Sequence, residues 1–215
     1  MKTVMKKLVQ YLRLEFFWAI LQISRRRGFL DQSGWLMSLR LQQSVDAKGD
    51  PIPWFTYSAV YFLTHRVKKG MRVFEYGSGL STVWWAQHVK EVVSAEHHEG
   101  WYKKMKEILP GNASVHYIEL HPNGEYSKEA LRHGKFDIIV VDGRDRNNCA
   151  LNSLPALKDD GVVIWDNSHR DRYQEGIRKL IKVGFKRLDF IGMSGIVDDY
   201  SMTTVFYKPK NILEI

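Results

Sequence analysis

The spacing of apolar residues changes twice along the chain. Val4, Leu8, Leu12, Phe16, Ala19, Ile20 and Ile23 recur at three- and four-residue steps, the spacing of one helix face. Asp50-Pro51-Ile52-Pro53 then breaks any helix and marks a boundary near residue 50. Trp54–Val67 reads as a helix that ends at Lys68-Lys69-Gly70. From residue 71 short apolar runs alternate with helix-length segments. Strands are expected at Met71–Tyr76, Glu91–Ala95, Ser114–Glu119, Phe136–Val141 and Gly161–Trp165. Helices are expected at Ser81–His88, Glu99–Leu109, Ser127–Arg132, Asn148–Leu157 and Tyr173–Val183. Two further strands, Lys186–Ile191 and Met202–Tyr207, close the chain around the loop Gly192–Ser201.

Repeated β–α alternation predicts an α/β fold, a doubly wound and mostly parallel seven-stranded sheet with helices on both faces. The last loop is too short for a helical crossover, so the final strand should run antiparallel to its neighbour as a C-terminal hairpin. Residues 1–50 form a helical extension in this reading and residues 51–215 the domain. Ligands of such a sheet sit at the carboxyl ends of its strands, and the informative residues are there.

Charge separates the two parts. Lys+Arg outnumber Asp+Glu by 32 to 24 in 215 residues, for a net +8. Residues 1–50 hold nine basic and four acidic residues, so +5 belongs to the extension and +3 to all the rest. The apolar run Phe16–Ile23 is far short of the roughly 20 residues of a spanning helix. No small-residue cleavage site follows it, so a signal peptide is not expected either. The extension reads as an amphipathic helix closed by Arg25–Arg27. Two uses fit it: contact with a membrane surface, with Trp18 as anchor, or packing on the domain or on a second copy. Apolar stripes usually mean core, which favours packing. The single cysteine, Cys149, excludes an intramolecular disulfide and a cysteine-based zinc cluster, and a reducing cytoplasm is the default expectation.

The turn Glu75-Tyr76-Gly77-Ser78-Gly79-Leu80-Ser81-Thr82 leaves a strand and enters a helix. Gly77 and Gly79 permit a tight turn and close approach of a ligand to the backbone. A dinucleotide site calls for a third glycine where Thr82 stands, which disfavours an NAD-dependent oxidoreductase, and the Gly-Lys-Ser/Thr of a phosphate loop is absent. Glu75 repels a pyrophosphate but can pair with the amino group of an amino-acid-like ligand. Glu96 ends the second strand, 17 residues after Gly79, where an acidic residue meets ribose hydroxyls.

With these features the chain resembles the class I S-adenosylmethionine-dependent methyltransferases, which have a Rossmann-like fold, over roughly residues 52–208. The resemblance implies S-adenosylmethionine as cofactor. Glu75, Gly77 and Gly79 would hold its methionine part, with Ser78, Ser81 and Thr82 in the same turn. Glu96 would hold the ribose, and the region Tyr117–Leu120 the adenine.

Two later strands also end in acids. Asp142 follows Val140-Val141, and Asp166-Asn167 follows Ile164-Trp165. Two carboxylates and an amide oxygen suit Mg²⁺ or another hard divalent cation. The Asp142…Asp166-Asn167 pattern is similar to the metal site of catechol O-methyltransferase-like enzymes, where the metal lowers the pKa of the acceptor oxygen. That subgroup has a lysine base where this chain has Asp145, so Asp142, Asp145 and His169 are the candidate catalytic groups. Without a metal, Asp142 would orient the cofactor or acceptor. Arg144, Arg146 and Arg170 either bind an anionic acceptor or neutralise the carboxylates.

The expected activity is methyl transfer to an oxygen of a small-molecule or glycan-like acceptor. A nucleic-acid acceptor suits the positive charge. However, the fourth strand lacks the Asn/Asp-Pro-Pro-aromatic motif that stacks a flipped base. A non-catalytic membrane-surface or partner-binding module on the same scaffold is the remaining alternative.

Overall fold

The computed structural model describes residues 14–196 and 199–215. The expected helix residues Val4, Leu8 and Leu12 lie outside the described part.

Seven strands form one sheet in the order β3-β2-β1-β4-β5-β7-β6. They are β1 Arg72–Tyr76, β2 Glu91–Glu96, β3 Ala113–Tyr117, β4 Phe136–Val141, β5 Leu157–Asp166, β6 Lys186–Gly192 and β7 Ser201–Tyr207. β1 to β5 are parallel, and β7 runs antiparallel to both β5 and β6. The expected sheet and closing hairpin are both present.

The order follows from burial on two faces. Every residue of β4 is buried. Ile139 and Val141 join one apolar cluster with Phe74, Tyr76, Trp165 and Phe206. Ile138 and Val140 join the other with Val73, Val92, Ile164 and Val205. The helices are α1 Glu15–Ser24, α2 Phe29–Gln32, α3 Trp35–Leu41, α4 Tyr57–Thr64, α5 Leu80–His88, α6 Glu99–Ile108, α7 Glu125–Lys128, α8 Arg146–Asn152 and α9 Gln174–Lys182. α8 and α9 cover the first cluster through Cys149, Ala150, Ile177 and Leu180. α4 and α5 cover the second through Ala59, Leu63, Trp84 and Trp85. Cys149 is buried and free.

Several boundaries differ from expectation, each for a local reason. The helix expected from Trp54 starts at Tyr57. Thr56 N donates to Thr203 Oγ1 (3.1 Å) and Tyr57 N to Met193 O (3.0 Å), so the β6–β7 region captures these amides in extended form. The helix expected over 148–157 ends at Asn152. Pro155 lies in the short 3₁₀ turn Leu154–Ala156, and β5 begins at Leu157, four residues earlier than expected. The 127–132 helix divides into α7 and the 3₁₀ stretch Glu129–His133.

The described part of the N-terminal helix does not bury its apolar residues on the domain, while packing on a second copy stays open. No residue of α1 is buried, and Phe16, Phe17, Ile20, Leu21 and Ile23 are exposed. By contrast, residues 38–53 are tied together across the proline break. Ser38 Oγ donates to Val45 O (2.8 Å) and Ile52 N to Ser44 O (3.1 Å), and Val45 is buried. No helix among the described residues is long and apolar enough to cross a membrane.

Candidate active site

β1 ends in the expected glycine turn, and Gly77 lies at φ +92°, where glycine is favoured. A Cβ on Gly77 would come within 3.3 Å of Gly143 Cα, just beyond the end of β4. A Cβ on Gly143 would come within 2.1 Å of Tyr126 Oη and 2.9 Å of Gly77 N. The turns after β1 and β4 therefore meet backbone to backbone and need both glycines. Sequence reasoning saw the first and missed the second, because Gly143 carries no local signature.

Glu75 is 1% exposed. Its Oε2 accepts from Thr82 Oγ1 (2.5 Å), and Thr82 Oγ1 accepts from Gly79 N (3.0 Å). Thr82 thus ties the turn to the carboxyl in place of a third glycine. Glu75 Oε1 has no hydrogen-bond partner among the described residues. Burial raises the Glu75 pKa to about 8, with Asp142 and Glu96 adding to it and the hydroxyls of Thr82 and Ser81 opposing. Glu75, Gly77, Ser78, Ser81, Glu96 and Asp142 line one cavity of about 330 Å³. An unpartnered carboxyl oxygen buried there fits a cationic N–H donor.

Glu96 is buried and well satisfied. Oε2 accepts from Ser78 N (3.2 Å) and Ser78 Oγ (3.1 Å), and Oε1 from the amides of His97 and His98 (both 2.8 Å). Tyr117–Leu120, expected near an adenine, do not line the cavity, and Tyr117 packs on Tyr102 at 5.9 Å. His97 and Arg144 do line it. His97 was not singled out, although it directly follows the acidic strand end.

Asp142 and Asp166 stand at adjacent strand ends, as expected, and Arg146 joins them. Its guanidinium is buried and donates to Gly143 O (2.9 Å), Asp142 O (2.7 Å) and Asp142 Oδ1 (2.9 Å), and also to Asp166 O. It stacks on Tyr173 at 5.3 Å. Arg146 is therefore the internal counter-charge of this pair and not a rim residue. Burial raises Asp166 to about 8, with Asp142 adding to it and Arg146 and Thr203 opposing. Asp142 is also raised by burial, against the pull of Arg146 and Arg170.

The family described as "Methyltransferase domain" matches residues 74–168, from the β1 turn through both acidic strand ends. The chain carries a class I S-adenosylmethionine-dependent methyltransferase domain. Solved structures share its fold. A TehB-like SAM-dependent methyltransferase of Corynebacterium glutamicum is similar at TM-score 0.52 and 16% identity, over 69% of this chain and 85% of that one. The precorrin 8W decarboxylase of Methanobacterium thermoautotrophicum is similar at 0.55 and 14%, over 77% and 97%. A Streptococcus mutans protein solved in complex with SAH is similar at 0.50 and 11%, over 68% and 94%. No curated protein matches the chain.

Beyond Asp142 the methyltransferase has a second cavity, of about 460 Å³. It is lined by Asp142, Trp54, Asp166, Asn167, His169, Arg170 and residues 194 and 199–201 of the β6–β7 loop. Asp142 is the one residue that lines both cavities. The His169 ring lies edge-on to Tyr200 at 5.1 Å, and its Nδ1 is buried without a partner among the described residues. Burial and Arg170 lower the His169 pKa, which keeps the imidazole neutral. Asp145 faces elsewhere. It accepts from Asn123 N and Asn148 Nδ2 (both 2.8 Å) and lines neither cavity.

In the expected metal set of Asp142, Asp166 and Asn167, both carboxylates already have protein partners. The Arg146 guanidinium lies against Asp142 Oδ1, and Thr203 Oγ1 donates to Asp166 Oδ1 (2.7 Å).

Proposed function

We propose that this methyltransferase methylates an oxygen of a small-molecule or glycan-like acceptor seated in the cavity beyond Asp142. The observation that carries the reading is the sharing of Asp142 between two cavities of unlike character. The first has the unpartnered buried carboxyl oxygen that a cofactor amino group needs, at Glu75. Gly77, Ser78 and Ser81 offer close backbone and hydroxyl contacts in the same cavity, Thr82 braces the turn from behind, and Glu96 faces ribose hydroxyls through the rotatable Ser78 Oγ. S-Adenosylmethionine supplies an activated methyl group when bound.

The second cavity is polar, walled by Trp54 and Tyr200 and edged by the exposed Arg170. That combination suits a hydroxylated ring with an acidic substituent. The His169 imidazole takes the proton of the acceptor hydroxyl, and Asp142 orients that hydroxyl at the junction. A neutral imidazole beside a cavity is suited to that step. Asp145, engaged by two asparagines, serves the β4–α8 turn instead. No step requires a metal.

The exposed apolar face of α1, followed by Arg25–Arg27, supports contact of the extension with an anionic membrane surface. Pairing with a second copy is the competing outcome of the same test.

Titration calorimetry tests the cofactor reading directly. One S-adenosylmethionine per chain and no NAD binding are expected. Tight NAD binding without heat from S-adenosylmethionine would overturn it.

A further inference from the structure

A second polar cluster lies away from both cavities. β3 is an edge strand of the sheet, and His116 within it pairs in register with Ala95 of β2. The 3₁₀ stretch Glu129–His133 packs beside it, with Ala130 in the apolar cluster and the His133 ring 6.2 Å from Phe74. The rings of His116 and His133 stand 4.5 Å apart, and His133 Nε2 lies 2.9 Å from Glu129 Oε1. One ligand atom from each of His116, Glu129 and His133 falls within 4.8 Å of the others, the one such group of three among the described residues.

The surroundings hold this set in place. Glu129 is 4% exposed, and its Oε2 accepts from Arg132 Nη1 (3.2 Å), which orients the carboxylate. Arg72 grips the end of the stretch by donating to the carbonyls of His133 (3.1 Å) and Lys135 (2.7 Å). Gly134, at φ +84°, turns the chain into β4. The three side chains therefore stand on a paired strand and a pinned turn. Hydrogen bonds to a ligating carboxylate are a regular feature of metal sites.

We propose that His116, Glu129 and His133 bind a zinc ion that staples the edge strand β3 to the 129–133 stretch. Two imidazoles and one carboxylate form a borderline set that suits zinc and not magnesium or calcium. Zinc bonds of about 2.1 Å place tetrahedral ligand atoms about 3.4 Å apart, so side-chain rotations of about an ångström close the set. Both histidines are half-buried, which leaves the fourth corner to water. The ion takes the position of the proton between His133 Nε2 and Glu129 Oε1. The zinc-bound ring then carries its hydrogen on Nδ1. None of the three residues lines the cofactor or acceptor cavity, so the site stands apart from the methyl-transfer reading.

The test uses the full chain, stripped of metal with a chelator. ZnCl₂ is titrated by calorimetry and CoCl₂ by visible absorption. One site per chain is expected, with the strong d–d bands of tetrahedral cobalt. Zinc at about a hundred times its Kd should raise Tm by about 5–10 °C, and MgCl₂ should not. His116→Ala and Glu129→Gln should each weaken zinc binding by about 100-fold and abolish the Tm rise. Should the buried Glu129 variant fail to fold, His116→Ala on the half-exposed edge strand decides alone. Absence of one-to-one zinc binding, or unchanged affinity in His116→Ala, overturns the proposal.

Discussion

Glu75→Gln should make the empty protein more stable and its cofactor binding weaker. Glu75 is buried, and its pKa is raised from 4.5 to about 8. Below pH 4.5 the carboxyl is neutral in the folded and unfolded chains alike, and burying it carries no charge penalty. Between pH 4.5 and about 8 the unfolded chain gives up the proton and the folded chain keeps it. The unfolded state then binds fewer protons, so stability falls as pH rises through this window. At 1.36 kcal/mol per pKa unit the loss is about 3 kcal/mol at pH 7 and about 5 kcal/mol above pH 8. Glutamine keeps the shape and the bond to Thr82 but has no charge to bury. Thermal melts at pH 7 should therefore show a Tm higher by about 5–10 °C, a difference that shrinks toward pH 5. The same change removes a carboxyl that can give up its proton when the cationic amino group of the cofactor docks, so calorimetry should show S-adenosylmethionine bound about 10- to 100-fold more weakly. A variant with unchanged Tm, an unchanged pH slope and full affinity would refute both the burial argument and the placement of the amino group.

Gly143→Ala should cost about 1–3 kcal/mol in urea unfolding, because its Cβ meets Tyr126 Oη and the Gly77 amide; an unaltered midpoint would show that the two turns can separate freely. Asp142→Asn should lower kcat far more than it weakens cofactor binding, and a chelator should leave wild-type turnover intact. Loss of turnover on chelation, restored by Mg²⁺, would reinstate a metal at the acidic pair. The acidic limb of the wild-type pH–rate profile should lie below 6.5, the ordinary value of the imidazole that burial lowers in His169, and should vanish in His169→Gln. Removal of residues 1–28 should keep the cooperative thermal transition and abolish co-sedimentation with anionic phospholipid vesicles. Unchanged sedimentation, or a shift from dimer to monomer, would assign α1 another role.

Much of this protein is written locally. Apolar runs at strand length, helix-spaced faces between them and a short last loop were enough to predict the seven-stranded sheet and its hairpin, because burial on two faces and chain reach leave few alternatives. The same logic found Glu75, Glu96, Asp142 and Asp166 together. In a parallel sheet every strand delivers its carboxyl end to one edge, so residues far apart in sequence share a cleft. What each side chain does on arrival was not legible, since its partners come from other elements. The inward turn of Arg146 depends on β4 and β5 lying side by side. The need for Gly143 depends on Gly77 opposite it, and the commitment of Asp145 depends on Asn123 from a distant loop. The exposure of α1 likewise reflects the lack of a facing surface, which its own periodicity cannot report. His116, Glu129 and His133 show the limit most plainly: Glu129 and His133 are four residues apart, but only strand register and the packing of a 3₁₀ turn beneath the sheet edge bring His116 to them.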